Sequence, residues 1–346
     1  MNKPEIRVLN EPPPKWNDWV TQGLGGPIQT AQYAAYWQEM WGYKPLFLMA
    51  GHPGQPDGIL LAYQYSPLSR LLYGKPGGSL VRAATWPILK GVASRFGPVV
   101  LNPEKRIETV PALLKKAGSY SGLGGGRFFH AALQHYLPEE PEPELIQGLE
   151  RLGGRLIQGL TPVLAIGEDL DKVWMSVHRQ ARKAKKQADK QGLVVEELEG
   201  GDEDSARLFI DLADRAKGAS SLGPALPRLT SKHLARDGFS VRYFICRLEG
   251  EPVGGIGLHA FGGVALEIAA WTAERAWKER LNCGDALKWA IIKWCAAHGV
   301  RIYDLMGIAP EPRSPKETGI ARFKKKWSSE IRPVYSLRTR AAVTSP

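Results

Sequence analysis

The sequence lacks the patterns that hold metals, disulfide frameworks or membrane spans. Only three of its 346 residues are cysteines, they form no CxxC pair, and no zinc-type Cys/His spacing or HExxH motif occurs. The longest mostly apolar run, around Ala286–Ala297, is interrupted by Lys288 and Lys293, whereas a membrane span needs about 20 apolar residues. The N-terminus has no apolar core of a secretory signal. We therefore expect a cytoplasmic protein without a cofactor, with peripheral contact at the inner membrane surface as an alternative.

Acidic residues are too few to balance the basic ones. The chain has 46 Lys and Arg residues against 35 Asp and Glu residues, which gives a formal net charge of +11. Such a charge favours polyanionic partners: nucleic acid, anionic lipid headgroups or phosphorylated substrates. The length suggests two domains of roughly 150 to 180 residues each.

The order of the apolar patterns in the second half is typical of an α/β acyltransferase domain of the GNAT kind. The periodicities predict, in order, a basic helix over Leu170–Gln191, a helix over Glu203–Lys217, strands over Ser240–Leu248, Val253–Phe261 and Val264–Ala270, a helix over Gly284–His298, and a strand over Arg301–Met306. A strand–turn–strand pattern also occurs in the first half, at Leu46–Ala50 and Gly58–Tyr65. This echo hints at two copies of one fold.

The basic helix predicts a phosphate-binding face. Its cations recur every three or four residues, which places them in one stripe on a helix: Arg179, Arg182, Lys183, Lys186 and Lys190. Each phosphate contact would add salt-dependent affinity. The alternative is a solvated helix face without a ligand.

A second basic segment lies near the C-terminus. Lys324, Lys325 and Lys326 stand between Phe323 and Trp327. The aromatic flanks would anchor the backbone, so that one lysine of the three points inward. The alternative is a basic surface turn.

The segment Leu281–Gly307 could bind a phosphate or an acyl carbonyl at the helix that Gly284 opens. Acetyl-CoA enzymes of the GNAT type carry a Gln or Arg three residues before that glycine, and here the position is Leu281. A grip on the CoA pyrophosphate is therefore not predicted. Asp304 ends a predicted buried strand, where it would orient a substrate amine or cap the following turn.

Together these pieces resemble the Fem family of peptidoglycan peptide-bridge aminoacyltransferases. The matching pieces follow one another in the family's order. In the first half they are Gln29, the aromatic helix after it, the residues Gly42, Tyr43 and Pro45 that follow this helix, and Gly97–Val100. In the second half they are Arg182, Ala188 and Gly192 in and after the basic helix, the segment from Asn282 to the YDLMG sequence that ends at Gly307, and Phe323–Lys324. Each piece is weak alone, whereas the ordered set is specific.

The resemblance implies two GNAT-like domains packed around a cleft. The first would cover residues 1–158, with residues 332–346 returning to it, and the second residues 159–331. The interval from Gly192 to Ser240 is too short for the long coiled-coil insertion of FemA-like members, so the compact FemX-like architecture is closer. We expect a monomer.

The resemblance also implies transfer of an amino acid from aminoacyl-tRNA to the stem peptide of a peptidoglycan precursor, either UDP-linked or lipid-linked. An aminoacyl ester is already activated, so the enzyme must position the amine and stabilise an oxyanion. Lys324 would lie near the reacting ester. Lys324 and Asp304, the latter as the group that orients the substrate amine, are the predicted catalytic residues. The implied substrate-binding residues are Arg228, Trp37, Asn282, Tyr303 and Phe323, and the implied tRNA-binding residues are those of the basic stripe together with Lys325.

Two departures from the family pattern concern the first domain. Trp37 occupies the position of the family's phosphate-binding lysine. The strand in which the family has an acidic residue, within Phe128–Leu137, contains none. Two of the residues by which the family binds the diphosphate are thus missing from this sequence. Two other functions stay open: a GNAT acyltransferase that uses acyl-CoA, and a catalytically silent nucleic-acid-binding protein of the same fold.

Overall fold

The computed structural model describes residues 4–66, 90–121, 129–132, 141–153, 155–217 and 225–338. By its internal contacts the chain divides into two units. Unit 1 comprises Met1–Gly159 and Pro333–Pro346, and unit 2 comprises Leu160–Arg332. Each unit holds its own buried apolar cluster.

Unit 1 is a mainly antiparallel sheet with helices packed against it. Its elements are β1 (Ile6–Leu9), α1 (Trp16–Gln22), α2 (Ala31–Trp41), β2 (Lys44–His52), β3 (Gln55–Tyr65), β4 (Gly91–Ser94), β5 (Val99–Val100), α3 (Arg106–Gly118), β6 (Phe129–Ala132) and α4 (Pro143–Glu150), with short 3-10 turns at Pro27–Gln29 and Pro103–Lys105. The strands follow the order β1-β2-β3-β4-β6, with β5 on β3, and only β4 and β6 are parallel. The C-terminal strand pairs with β6 from Ser336 to Arg338.

Local sequence explains where α2 begins and ends. The hydroxyl of Thr30 accepts a hydrogen bond from the backbone N–H of Tyr33, which caps the first turn. Gly42 then stops the helix with a φ of +64°, a conformation that favours glycine.

Unit 2 has helices packed around the sheet of its own strands. Its elements are β7 (Arg155–Ala165), α5 (Leu170–Ser176), α6 (Arg179–Lys190), β8 (Val194–Glu199), α7 (Glu203–Lys217), α8 (Leu226–His233), β9 (Ser240–Leu248), β10 (Glu251–Phe261), β11 (Val264–Thr272), α9 (Glu274–Lys278), α10 (Cys283–Ala297), β12 (Ile302–Asp304), α11 (Pro315–Trp327) and the first part of β13 (Glu330–Arg338), the C-terminal strand. Two of these strands cross the limits of the unit: β7 belongs to it from Leu160, and β13 as far as Arg332. The strand order is β7-β12-β11-β10-β9-β8, and only β11 and β12 are parallel.

Two predicted elements of unit 2 differ from the structure. The helix predicted over Leu170–Gln191 is two helices, because the chain turns at Val177–His178 and His178 caps α6 by accepting the N–H of Gln180 at 3.2 Å. The lysines after Phe323 lie on α11, so the alternative of a surface turn was wrong. In the part of the chain that the structure describes, no helix is long and apolar enough to cross a membrane.

Candidate active site

The turn that follows β12 is held from both sides. Asp304 accepts hydrogen bonds at Oδ1 from the hydroxyl of Thr161 (2.5 Å) and from the backbone N–H of Met306 (2.7 Å). Met306 has a φ of +63°, which is uncommon for a residue other than glycine and marks a strained turn. On the other side, Nζ of Lys324 donates to the carbonyl oxygens of Met306 (3.0 Å) and Gly307 (3.3 Å). The YDLMG and FK segments therefore meet here.

Lys324 is half-buried on α11. Burial lowers the pKa of Lys324, and the carboxylate of Asp304 opposes that shift. A lysine ammonium has three donors, and the two carbonyls take two of them. Among the described residues the third donor has no acceptor, so it can bind an oxygen that gains negative charge near this turn.

Asp304 has no exposed surface. Of the two roles that the sequence left open, the geometry matches the cap of the following turn, because the carboxylate accepts the N–H of Met306. We therefore assign it a positioning role: it holds the turn whose carbonyls orient Lys324. The role expected of Asp304, as a group that orients a substrate amine, stays a prediction.

An opening in the sheet lies beside the turn. β12 pairs with β11 only as far as Leu266 and Asp304, whereas β11 continues to Thr272. A β-bulge leaves Ile268 without a partner on β10, and such bulges redirect neighbouring side chains. Glu267 is the first residue of β11 after the part that pairs with β12. The opening therefore begins at the carboxyl end of β12 and lies beside the second half of β11.

A buried cluster of three ionisable side chains forms under this opening. Lys288 on α10 and Tyr303 on β12 both donate to Oε1 of Glu267, and Nζ of Lys288 lies 3.4 Å from the hydroxyl of Tyr303. Burial lowers the pKa of Lys288, and the charge of Lys324 lowers it further, while burial raises the pKa of Tyr303. Sequence reasoning missed Glu267 and Lys288. The available signal was the interruption of an apolar helix by Lys288.

The N-terminus of α10 is covered by side chains of α11. A Cβ atom on Gly284 would lie 2.9 Å from the ring of Phe323, so the ring packs directly on this glycine. In the same turn, Asp285 accepts Nε1–H of Trp327 at 2.7 Å and pairs with Nζ of Lys326 at 2.7 Å. Lys326 therefore points inward as well as Lys324, where the sequence predicted a single inward lysine.

Asn282 and Tyr303 hold elements together in this structure. The backbone N–H and side-chain Nδ2 of Asn282 both donate to Oε1 of Gln191, at 3.0 and 3.3 Å, which joins the start of α10 to the end of α6. Tyr303 is fully buried in the apolar cluster of unit 2. A direct contact of either residue with substrate stays a prediction.

The predicted tRNA-binding cations divide into two kinds. The exposed ones are Arg179, Lys183, Lys186, Lys190 and Lys325. Arg182 is half-buried, and its guanidinium donates to the carbonyls of Trp174 (3.4 Å), Met175 (3.0 Å) and Val177 (2.8 Å). The two basic segments adjoin, because the N–H of His178 donates to the carbonyl of Lys326 at 3.0 Å.

An open groove runs beside this junction. One part, of about 380 Å³, and a second part, of about 460 Å³, share Pro312, Thr318 and Arg322. The lining residues that carry or can carry positive charge are His178, Arg313, Arg322, Lys325 and Lys326. The cationic surface thus continues from α6 onto α11.

The remaining predicted site residues lie on other elements. Arg228 is exposed on α8, which packs mainly against α7. Trp37 lies in unit 1 with 8% of its surface exposed, among Tyr33, Tyr43 and Tyr63, and the guanidinium of Arg95 is 4.8 Å from the ring centre. That is the packing of a core residue. Most of Phe128–Leu137, where the family has an acid, lies outside the described residues.

The second half of the chain matches a known domain family. Residues 175–325 match the acetyltransferase (GNAT) domain. The meander β9–β11, the parallel β12 and the opening beside β11 lie within this range. Unit 2 therefore has a fold of the GNAT type.

Over nearly its whole length the chain is similar in fold to FemX. With that crystal structure it shares a TM-score of 0.69 and 14% identity, over 94% of this chain and 96% of that one. A tandem GNAT protein from the clavulanic acid biosynthesis pathway gives a TM-score of 0.55 and 13% identity, over 99% of this chain and 100% of that one. The predicted likeness to FemX and the predicted fold of two GNAT-like domains are confirmed.

A further structure with a similar fold comes from Agrobacterium fabrum. It is the C-terminal domain of a protein named as a lysylphosphatidylglycerol synthetase, with a TM-score of 0.56 and 13% identity over 94% of this chain and 93% of that one. None of the curated protein sequences compared with this chain matches it.

Proposed function

We propose that the protein is a tRNA-dependent aminoacyltransferase that moves an amino acid from aminoacyl-tRNA to an amine of a peptidoglycan precursor. The observation that carries the proposal is the contact of Lys324 with the carbonyls of Met306 and Gly307. It fixes one ammonium at the carboxyl end of β12, beside the opening in the GNAT sheet. The FemX-like fold supports the same reaction class.

Lys324 would act on the tetrahedral intermediate. The aminoacyl ester needs no further activation, so the enzyme must bring the amine to the ester carbonyl and stabilise the oxyanion. The free donor of Lys324 is suited to that oxyanion, since a charged hydrogen bond is stronger when the site is partly desolvated. Phe323 would contribute an apolar wall beside the ester.

The cationic surface supports tRNA as the carrier of the donor. Four exposed cations of α6 and the groove cations Arg322 and Lys325 of α11 lie on adjoining elements of unit 2. A run of cations on one surface matches the phosphates of a nucleic-acid backbone. Arg182 is not included, because its guanidinium holds the end of α5.

The covered N-terminus of α10 argues against acyl-CoA as donor. A pyrophosphate at a helix N-terminus needs free backbone N–H groups and a positive field. Here Phe323 lies on Gly284, and the carboxylate of Asp285 is buried in the first turn. An anion at that position would meet a side-chain ring and a like charge.

The acceptor is proposed as an amine on the stem peptide, UDP-linked or lipid-linked. The lysylphosphatidylglycerol synthetase neighbour gives a second acceptor class to test, a phospholipid headgroup. The packing of Trp37 in the core of unit 1 offers no lysine for the diphosphate of either precursor, so both forms of the acceptor are included in the test.

The test mixes purified protein with a pool of charged tRNA or, separately, with acetyl-CoA. Each mixture is offered the UDP-muropeptide, the lipid-linked precursor or phosphatidylglycerol, and the acceptor is read by mass spectrometry. An RNase-sensitive gain of one amino-acid residue on a muropeptide supports the proposal. A gain from acetyl-CoA alone assigns an ordinary GNAT activity, and a gain on phosphatidylglycerol alone assigns lipid aminoacylation.

The alternative of a nucleic-acid-binding protein without catalytic activity is tested by comparing two variants of α11. The variant Lys324→Met removes the proposed ammonium, and Lys316→Met removes an exposed charge at the start of the same helix. Binding of tRNA without any transfer by the wild-type protein, and with no difference between these variants, would establish the silent nucleic-acid-binding protein.

A further inference from the structure

The most exposed large apolar side chains of the described residues lie around the ends of α6. Trp277 on α9 is 73% exposed, while Val194, the first residue of β8, and Met175 on α5 are each 66% exposed. The next in order, Ile320, is only 41% exposed. A single exposed apolar residue is ordinary on a protein surface, whereas several in one region indicate an interaction surface. Two of the three, Trp277 and Val194, lie at the C-terminal end of α6.

Hydrogen bonds fix the turn after Trp277 against this end of α6. Gln191, which directly follows α6, donates through Nε2 to the carbonyl of Arg280 at 3.4 Å and accepts the backbone N–H of Asn282 at 3.0 Å. The carbonyl of Trp277 accepts the N–H of Arg280 at 3.3 Å. Arg280 has a φ of +53°, which a residue other than glycine adopts only at a cost. Trp277 and Arg280 are therefore held beside the last turn of α6.

The end of α6 brings Val194 to the same region. Gly192 has a φ of +74°, and the N–H of Leu193 donates to the carbonyl of Ala188 at 3.2 Å, which is the usual arrangement of a helix that ends at a glycine. Leu193 is buried, whereas Val194 is exposed. The order of the strands ends at β8, so Val194 lies at the edge of the sheet.

Positive charge remains uncompensated in this region. The acidic residues of the last turn of α6 and of the segment from Glu274 to Glu279 are each paired with a cation: Asp189 with Lys185 (2.5 Å), Glu274 with Lys278 (2.8 Å) and Glu279 with Arg275 (2.8 Å). Lys190 and Arg280 are exposed, and neither forms an ion pair with any acidic residue that the structure describes. Two free cations therefore lie beside the exposed side chains of Trp277 and Val194.

This combination fits an anionic lipid bilayer better than nucleic acid. The interface of a bilayer takes up tryptophan rings and aliphatic side chains, while lysine and arginine lie against anionic headgroups. A nucleic-acid backbone needs the cations alone, and a valine cannot stack on a base. The other end of α6, which adjoins α11, is about 18 Å away along a helix of 12 residues. The proposed tRNA surface continues from that other end, and the two surfaces share Lys190.

We propose that the C-terminal end of α6 docks the protein onto an anionic lipid bilayer. The docking surface consists of Lys190, Val194, Trp277 and Arg280. Trp277 enters the layer between headgroups and acyl chains, and the two cations lie against the phosphates of the headgroups. A surface of this size gives reversible binding that weakens with salt. The docking surface is additional to the proposed function and requires no particular donor or acceptor.

The test measures co-sedimentation of the full chain with sucrose-loaded vesicles that contain no peptidoglycan precursor. Vesicles of phosphatidylcholine alone are compared with vesicles of equal parts of phosphatidylcholine and phosphatidylglycerol, at low and high salt. The wild-type protein should bind the anionic vesicles, and less so at high salt. Trp277→Ser should lower the partition coefficient about tenfold. Lys190→Gln and Arg280→Gln should each lower it about fivefold.

Matched controls change the same kinds of side chain elsewhere in unit 2. Met175→Ser removes a similarly exposed apolar side chain at the other end of α6, and Lys293→Gln removes an exposed cation of α10. Both should keep the partition coefficient of the wild-type protein. All of these side chains are exposed, so the melting temperature should stay at the wild-type value in every variant. Equal losses in the controls and in the docking-surface variants would overturn the proposal.

The vesicle assay gives its result independently of the transfer assay. If the wild-type protein binds neither kind of vesicle, the docking surface is wrong, and transfer to a UDP-linked acceptor is unaffected. If it binds anionic vesicles through Trp277 and transfers nothing, the docking surface is right and the proposed function is wrong. Filter binding of tRNA completes the comparison. Trp277→Ser that loses affinity for tRNA and keeps its affinity for vesicles would make Trp277 a base-stacking residue and would overturn the proposal.

Discussion

Nζ of Lys324 lies 3.0 Å from the carbonyl oxygen of Met306, a residue that has a φ of +63°. Left-handed backbone is costly for methionine, and it is retained here with a hydrogen bond on each side of the residue: Asp304 accepts from its N–H, and its carbonyl accepts from Lys324. The strained turn therefore orients the ammonium. The first prediction follows from this geometry.

Lys324→Met should lower kcat by about a hundredfold to a thousandfold, the usual loss of one oxyanion donor. KM should change little, because the contact strengthens only when the oxyanion forms. Steady-state rates of amino-acid transfer check this, with Lys316→Met, an exposed lysine at the start of the same helix, as the control that keeps Lys324. Equal losses of kcat in both variants would contradict a specific role for Lys324.

Reversing two exposed lysines of α6 should weaken tRNA binding. In Lys183→Glu combined with Lys186→Glu, the slope of log K against log salt should become less steep by about 1.4 to 1.8, if each lysine neutralises one phosphate. Filter binding or fluorescence anisotropy at several salt concentrations measures it. The control reverses Lys115 and Lys116, two exposed lysines of α3 in unit 1. Identical slopes for wild-type protein and the α6 variant would remove α6 from the proposed tRNA surface.

Arg182 should matter for stability more than for tRNA. Its guanidinium donates to three carbonyls at the end of α5, and hydrogen bonds that involve a charged group contribute about 1.5 to 3 kcal/mol each at most. Arg182→Lys should lower the free energy of unfolding by about 1 to 3 kcal/mol in total, because a lysine cannot reach the same carbonyls together.

Urea unfolding measures the change in Arg182→Lys. Arg179→Lys is the matched control, since Arg179 is exposed at the start of the same helix, and its unfolding free energy should stay within about 0.5 kcal/mol of wild type. The opposite result would be a less steep salt dependence of tRNA binding in Arg182→Lys with an unchanged free energy of unfolding. That result would mean that Arg182 belongs to the tRNA-binding surface.

The sequence allowed the fold to be predicted because it depends on local patterns, whereas the contact of Lys324 with Met306 and Gly307 was found only in the structure. Strand alternation gave the two hairpins, and the YDLMG and FK segments are short motifs. The buried cluster could not be predicted in the same way. Glu267 and Lys288 are 21 residues apart, and their contact exists only because α10 packs on the sheet.

The break between α5 and α6 was missed for a different reason. It lacks the Ser, Thr, Asp or Asn that usually marks a helix start, and His178 serves as the cap instead. The helical pattern of the sequence continues from Leu170 to Gln191, which conceals the break. The cap became visible only through the hydrogen bond from Gln180.

The last prediction concerns stability in acid. His259 is buried on β10, and burial lowers its pKa from 6.5 to about 3. Between those two values the unfolded chain binds a proton that the folded chain does not. The free energy of unfolding should therefore fall as the pH is lowered below 6.5, by up to about 1.4 kcal/mol per pH unit from this residue.

Urea unfolding of the wild-type protein and of His259→Gln between pH 4 and pH 7 checks this. The variant should be less stable at pH 7, because the site is closely packed, but its stability should decline less steeply with acid. His52→Gln is the control, since His52 is exposed on β2, and it should keep the wild-type slope. Parallel slopes for wild type and His259→Gln would mean that the folded chain admits a charged His259, and that this part of the GNAT sheet opens to water in acid.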